Sequence, residues 1–521
     1  MIKQTKVENG WLRGIPAADP RVMVYRGVPF AAPPVGENRW RAPQPAKDWD
    51  GVLDCARFAP ISMQAKPGLQ HNIYEREWNP DPDIDMSEDC LYLNIWTPAK
   101  TPDEKLPVFV WYFGGGLQEG NTTEMEFNGE FLARHGVVVV SVNYRLNVFG
   151  FLAHPEITKE APDFPCNFGN LDQRAGLLWV RRNISAFGGD PENITIGGQS
   201  AGGGSVQTQL CSPLNKGLFK RAVIMSGTFL GSYGRMIPGD SLPLAEAERR
   251  GVSFFEFLGV KSLAEARAIP AQELMDRYLA WRDSIPMRPG EPIKMVFETT
   301  IDGNFCPGSV AQKMRAGDYI QVPLMIGNTR DEFVARVEAR TDEEFKAIAD
   351  KYFGDKAGEW LKLIDAPFIE EKCYKSSFSP VEAGARAILD AANDRASLAA
   401  ADSSAKVPVK NYYYQFDADI PGWDDPGAFH SVDLWFFFGS LAACWRPFNG
   451  KHFDLAEQMV SYWANFFKDG DPNGCDRGGR ELPVWESYNE SRAPMTFIHK
   501  AKMGGPEDES PMTRFIVKTL G

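Results

Sequence analysis

Ser200 is the residue of this chain best placed to do chemistry. It lies in Gly198-Gln199-Ser200-Ala201-Gly202, after the apolar run Ile194-Thr195-Ile196 and before a small-residue stretch able to start a helix. The pattern predicts a strand, a sharp turn and a helix, with a serine oxygen lifted above a sheet edge: a nucleophile elbow. Glycines two before and two after the serine allow crowding that a Cβ would block. With 48 glycines in 521 residues, a given serine is flanked this way by chance about once in 100. The motif therefore needs partners.

A serine hydroxyl attacks poorly until a base takes its proton, and that base is nearly always histidine. The chain has six histidines, at 71, 135, 154, 430, 452 and 499. On an elbow the partners follow in the order serine, acid, histidine, which leaves 430, 452 and 499. His452 sits in a polar, surface-like turn and His499 near the C-terminus. His430 follows a Gly- and Asp-rich loop and precedes the aromatic anchor Leu434-Trp435-Phe436-Phe437-Phe438, so it can reach a site and still be held. His430 is the favoured base. The acid is expected at an upstream strand end, where Asp331 and Glu332 follow Ile326-Gly327. Either could orient the imidazole. Asp433, three residues from His430, fits a local structural role better. Oxyanion donors must be backbone N–H groups, one from the residue after the nucleophile, Ala201. Phe113-Gly114-Gly115-Gly116-Leu117 is the natural source of the others, since three glycines at a strand end let the backbone approach a ligand.

The elements that must hold these groups read as α/β. Pro107 to Phe113 and Gly136 to Tyr144 look like strands buried on both faces. Leu171 to Ala186 has helical spacing and a stop at Phe187-Gly188-Gly189. Arg221 to Met225, Val322 to Gly327 and Lys410 to Phe416 read as further strands, and Leu455 to Phe467 as a helix ending near Gly470. Pro243 to Arg282 and Glu338 to Ala401 read as amphipathic helices. The expectation is one domain over 1–521, a mostly parallel twisted sheet covered on both faces, with largely helical insertions at about 230–320 and 335–405. Met63 to Glu88 is a long polar loop carrying Trp78, a length usually functional or mobile.

Composition narrows the class. The net charge of −13 disfavours nucleic acid or an anionic membrane as partner. No run of eighteen apolar residues suggests a spanning helix, and Met1 to Lys6 lacks the apolar core of a signal peptide. The eight cysteines form no Cys-x-x-Cys pair. A cytoplasmic protein with free thiols is the expectation, and neither a metal nor an organic cofactor is implied.

With these motifs in place, the chain resembles the type-B carboxylesterase and cholinesterase family of the α/β-hydrolase fold. The similarity runs from Tyr25-Arg26-Gly27-Val28-Pro29-Phe30 through Ser87-Glu88-Asp89-Cys90-Leu91-Tyr92-Leu93-Asn94, Asn143-Tyr144-Arg145 and Phe187-Gly188-Gly189-Asp190-Pro191 to Tyr462-Trp463-Ala464-Asn465-Phe466-Phe467. The resemblance implies Ser200 as nucleophile, Glu332 rather than Asp331 as acid and His430 as base. It implies Gly115, Gly116 and Ala201 as oxyanion donors, and substrate contacts at Leu117, Gln199 and Trp78. Several positions depart from the family pattern. Phe113 replaces a His or Tyr, Gln199 replaces a Glu beside the nucleophile, and Phe333 replaces a Gly after the acid. Cys90 matches a cysteine that secreted members pair upstream, but Ser62 holds the partner position. Met63 to Glu88 corresponds to the family's gorge-rim loop.

The implied activity is hydrolysis of a carboxylic ester through an acyl-enzyme, with water as second substrate. A lipase, thioesterase or amidase on the same scaffold is the near rival. A non-catalytic binding protein is the distant one, disfavoured because all three triad positions are filled. Trp111, Phe113 and Trp423 suggest a bulky or aryl ester, though core packing would explain them equally.

Overall fold

The computed structural model describes residues 1–69, 72–231, 233, 241–286, 294–400 and 409–521. His71 and parts of both expected insertions therefore lie outside the described residues. An eleven-stranded mixed sheet organises the chain. From one edge it runs Ala501–Met503, Met495–Phe497, Tyr412–Phe416, Leu324–Thr329, Arg221–Met225, Gly189–Gln199, Leu106–Tyr112, Val138–Val142, Tyr92–Thr97, Met23–Pro29, Ile15–Pro16. The strands from Met495–Phe497 to Val138–Val142 are all parallel, and the antiparallel pairs sit at the two sides.

The central strands are apolar throughout because both faces are covered. In Leu106–Tyr112, Phe109 stacks on Phe467 at 4.5 Å and Trp111 packs edge-on against Phe438. Those partners belong to the helices Gly450–Asp469 and Asp433–Phe438. Successive strand residues point to opposite faces, so Tyr112 follows the other direction from Trp111. Its hydroxyl donates to the carbonyl of Gln173 in the helix Phe168–Asn183. Register then aligns the carboxyl ends. Gly198 pairs with Tyr112 on one side and Ile224 on the other. Ile224 pairs in turn with Ile326, and Ile326 with Tyr413. The turns after these strands converge on one edge, the usual place for a site in such a sheet.

Element boundaries moved by a few residues where side chains cap or extend them. The helix expected from Leu455 begins at Gly450, because Asn449 and His452 form a reciprocal cap in which the Asn449 N–H donates to His452 Nδ1. The strand expected to stop at Gly327 continues to Thr329. The helix expected from Leu171 starts at Phe168 and closes with a 3-10 turn, Ile184–Phe187, ended by Gly188. The loop Met63 to Glu88 holds the short helix Ile73–Glu77, capped by the Asn72 side chain. An Ile61–Met86 bridge ties its ends together. The first stretch expected as an insertion contains the helices Leu244–Leu258, Leu263–Ala268 and Ala271–Ser284. The second supplies Asp342–Phe353, Ala357–Lys362 and Ile369–Lys375, whose buried Phe345, Phe353 and Trp360 share an apolar cluster with Ile516 of the helix Pro511–Leu520.

Candidate active site

Ser200 sits between the strand Gly189–Gln199 and the helix Ala201–Cys211, with φ 55° and ψ −124°. A non-glycine residue there carries strain of order 1–3 kcal/mol, which surrounding contacts must hold. They do so through the backbone. The Ser200 N–H donates to the Met225 carbonyl and its own carbonyl accepts the Gly204 N–H, both at 2.9 Å. The flanking glycines are explained by the same turn. A Cβ on Gly198 would lie 2.3 Å from the Gly202 carbonyl oxygen, and one on Gly202 would lie 2.1 Å from that of Tyr112. Gly202→Ala is therefore expected to displace the elbow by enough to lower kcat/KM by about 100-fold. Ester-hydrolysis kinetics beside a melting curve check this, and near-normal activity would contradict it.

His430 arrives on a loop fastened to the strand-end segment by Asp331. The Asp331 N–H donates to the Ala428 carbonyl at 3.0 Å, and its Oδ2 accepts the Ala428 N–H at 2.7 Å. With Asp331 so engaged, the next side chain turns to the imidazole. His430 Nδ1 lies 2.7 Å from Glu332 Oε2, with the Glu332 side chain fully buried and that of His430 7% exposed. A carboxylate can only accept, so Nδ1 carries the proton and Nε2 presents a lone pair. Glu332 Oε1 accepts the Thr329 N–H at 3.2 Å, which fixes the carboxylate. Asp433 points elsewhere: it accepts the Tyr414 hydroxyl at 2.8 Å, and burial pushes its carboxyl up to about 7. Of the other histidines weighed as base, His452 caps its helix and meets the Asp419 carbonyl. His499 lies exposed between the last two strands.

Ser200 and His430 line one pocket, of about 870 Å³ counting its open mouth. Nε2 of His430 takes the Gln199 amide at 3.2 Å, and the same amide donates to Ser431 Oγ at 2.7 Å. Gly114 and Gly115 line the pocket too. The N–H groups of Gly115 and Gly116 donate to no backbone carbonyl among the described residues. Ala201 opens its helix, so its N–H has no intrahelical acceptor. Three expected donors thus have no backbone acceptor, but of them only Gly115 is among the residues that line the pocket; Gly116 and Ala201 are not.

Not every expected contact reaches the pocket. Gln199 and Trp78 line it, and Trp78 packs against Trp435. Leu117 stands off its wall, buried, with its carbonyl taken by the Asn147 N–H. The aromatic residues singled out for substrate also fall elsewhere. Trp111 is core, Phe113 stacks on Tyr144 at 4.2 Å, and Trp423 is 78% exposed. The aromatic wall is instead Tyr74, Trp78, Phe127 and Phe333, with Phe333 against the His430 ring at 4.6 Å. Glu75, Glu119, Glu124 and Glu126 also line it, and none of them is among the residues the sequence marks for the site. The available signal was two glutamates placed among Met125 and Phe127 just after the glycine run.

Residues 2–510 match the family model described as the Carboxylesterase family. The chain belongs to the carboxylesterase family. It is 32% identical over 509 residues to the fumonisin B1 esterase of Sphingopyxis macrogoltabida, covering 94% of this chain and 86% of that protein. It is 32% identical over 479 residues to the para-nitrobenzyl esterase of Bacillus subtilis strain 168, covering 89% of each. Among solved structures, a PNB esterase superposes with a TM-score of 0.78 at 27% identity over 99% of both chains. The Geobacillus stearothermophilus carboxylesterase EST55 superposes with a TM-score of 0.73 at 28% identity over 100% of both. This carboxylesterase has the α/β-hydrolase fold and is a serine carboxylic-ester hydrolase, with an ester and water as its substrates. Among the described residues no helix is long and apolar enough to cross a membrane.

Proposed function

We propose that Ser200 is the nucleophile of this esterase, His430 its general base, Glu332 the acid that orients the base, and Gly115, Gly116 and Ala201 the oxyanion donors. The observation that carries the reading is the 2.7 Å His430–Glu332 contact in the pocket that also holds the strained Ser200. Substrate entry moves the Gln199 amide off Nε2, and the lone pair then takes the Ser200 proton as Oγ attacks the ester carbonyl. The imidazolium is stabilised by the buried Glu332 carboxylate. The tetrahedral oxyanion is held by the three N–H groups, each contributing about 3 kcal/mol to the transition state. His430 next protonates the leaving alcohol. Water, activated by the same nitrogen, hydrolyses the acyl-Ser200 ester and regenerates the enzyme. Tyr74, Trp78, Phe127 and Phe333 favour a small to medium ester with an aromatic or other apolar arm. A cytoplasmic location is part of the proposal, supported by Ser62 standing where a cystine partner of Cys90 would be.

The test is covalent trapping. Diethyl p-nitrophenyl phosphate is expected to inactivate the enzyme with one diethylphosphoryl group on the peptide that contains Ser200. Labelling of another residue, or inactivation without label, would overturn the assignment.

A further inference from the structure

Ser431 is a pocket residue that the acyl-enzyme chemistry leaves without a task. It follows His430 directly, lines the same pocket as Ser200 and is buried. Its backbone holds φ at 81°. Glycine takes that left-handed conformation freely, whereas a serine there is strained. A side chain kept at such a position, on the wall of a reaction pocket, points to a use for its hydroxyl. Gln199 Nε2 donates to Ser431 Oγ at 2.7 Å and meets His430 Nε2 at 3.2 Å. The imidazole fixes the direction of both contacts. Glu332 keeps the proton on Nδ1, so Nε2 offers a lone pair and the Gln199 atom facing it has to be the amide nitrogen. That nitrogen makes Ser431 Oγ an acceptor. The Ser431 O–H itself donates to no acceptor among the described residues. A hydroxyl that accepts one hydrogen bond is polarised to donate another. The pocket wall therefore carries an oriented donor within two hydrogen-bond lengths of His430 Nε2.

That placement selects among leaving groups, because the alcohol oxygen must lie at Nε2 to receive its proton. An alkanol gives the Ser431 donor nothing and covers it unpaired. An alcohol with a second oxygen two carbons from the ester oxygen sets one oxygen at Nε2 and the other at Ser431 Oγ. Substrate entry has to break only the longer contact of the Gln199 amide, the one to Nε2. The amide can stay on Ser431 Oγ and keep the O–H aimed. We propose that Ser431 is a specificity-determining residue that donates its hydroxyl hydrogen to the second oxygen of the leaving alcohol, so that esters of glycol-type alcohols are favoured over esters of alkanols. The proposal rests on the reading of Ser200 as nucleophile and His430 as base, since that reading puts the leaving group beside Nε2.

Acid release from 2-methoxyethyl acetate and from butyl acetate, whose chains are of equal length, tests it in a pH-stat. The ether makes its alcohol a slightly better leaving group with any catalyst, so the quantity read is the kcat/KM ratio of the two esters, compared between proteins. The ratio is expected to fall about fivefold from the parent to Ser431→Gly, the loss of one neutral hydrogen bond. Glycine suits φ 81°, so this variant is expected to fold. Ser431→Ala removes the oxygen, keeps the Cβ and carries the same expectation. A residue that only positions Gln199 or the His430 loop would slow both esters equally and leave the ratio unchanged. An unchanged ratio in either folded variant therefore overturns the proposal. His430→Ala separates the two ideas. Loss of hydrolysis in His430→Ala with an unchanged ratio in the Ser431 variants sinks the Ser431 assignment alone. Retained hydrolysis in His430→Ala sinks the base assignment whatever the ratio.

Discussion

Ser200→Ala is expected to lower kcat/KM for p-nitrophenyl acetate on the order of 10⁵- to 10⁶-fold while the melting temperature stays within about 2 °C of the parent. The kinetic half follows from the chemistry of the pocket. Beyond His430, Tyr74 and Trp78, its other polar side chains are carboxylates, amides and a serine, Ser431, whose Oγ is occupied by the Gln199 amide at 2.7 Å. The stability half follows from the backbone. Ser200 is held by two main-chain hydrogen bonds, to Met225 and from Gly204, and alanine keeps both. Alanine also carries the same Cβ at the same strained φ of 55°, so the elbow gains no relief and suffers no new clash. A residual rate above the uncatalysed one is expected, because the substitution leaves untouched the N–H groups proposed as oxyanion donors, those of Gly115, Gly116 and Ala201. Initial rates over a range of enzyme concentrations, beside a melting curve, check both halves. An active, folded Ser200→Ala protein would remove the serine from the mechanism.

The elbow and the sheet around it are readable from the chain because their signals are local. Ser200 is flanked by Gly198 and Gly202, which the tight strand-to-helix turn requires, and the valines at 137–140 mark a strand covered on both faces. What decides the pocket is not local. Trp111 and Phe113 are two residues apart beside the glycine run, yet neither lines the pocket. Trp111 packs against Phe437 and Phe438 of the helix Asp433–Phe438, and Phe113 is stacked on Tyr144. Of the four aromatic residues that do line it, only Phe127 follows the glycine run; Tyr74 and Trp78 come from the loop Met63 to Glu88 and Phe333 from beyond Leu324–Thr329. Gln199 is legible as a lost charge, but its reach to His430 depends on a loop more than two hundred residues away. His452 shows the converse. Its polar setting is visible in the sequence, while its function as a reciprocal helix cap emerges only with Asn449 in place.

Glu332→Gln is expected to lower kcat by about 10³- to 10⁴-fold, and Asp331→Asn by less than about tenfold. The two acids are adjacent, so composition and spacing cannot rank them, but their partners can. Glu332 gives its Oε2 to His430 Nδ1 at 2.7 Å with no solvent to share the task. Glutamine fills the same volume and removes the negative charge that stabilises the imidazolium in the transition state. If its amide nitrogen donates to Nδ1, the imidazole proton moves to Nε2, and no lone pair remains to take the proton of Ser200. Both effects act on the chemical step, so kcat falls and KM changes little. Asp331 is different in kind. Its Oδ2 accepts the Ala428 N–H at 2.7 Å, and the side-chain oxygen of asparagine can accept the same bond. The loop carrying His430 then stays fastened and the catalytic charge is untouched. Steady-state kinetics on both variants, with melting curves to exclude unfolding, decide the matter. A larger kcat loss for Asp331→Asn would transfer the acid's role to Asp331, because the carboxylate that stabilises the imidazolium must be the one whose charge the rate depends on.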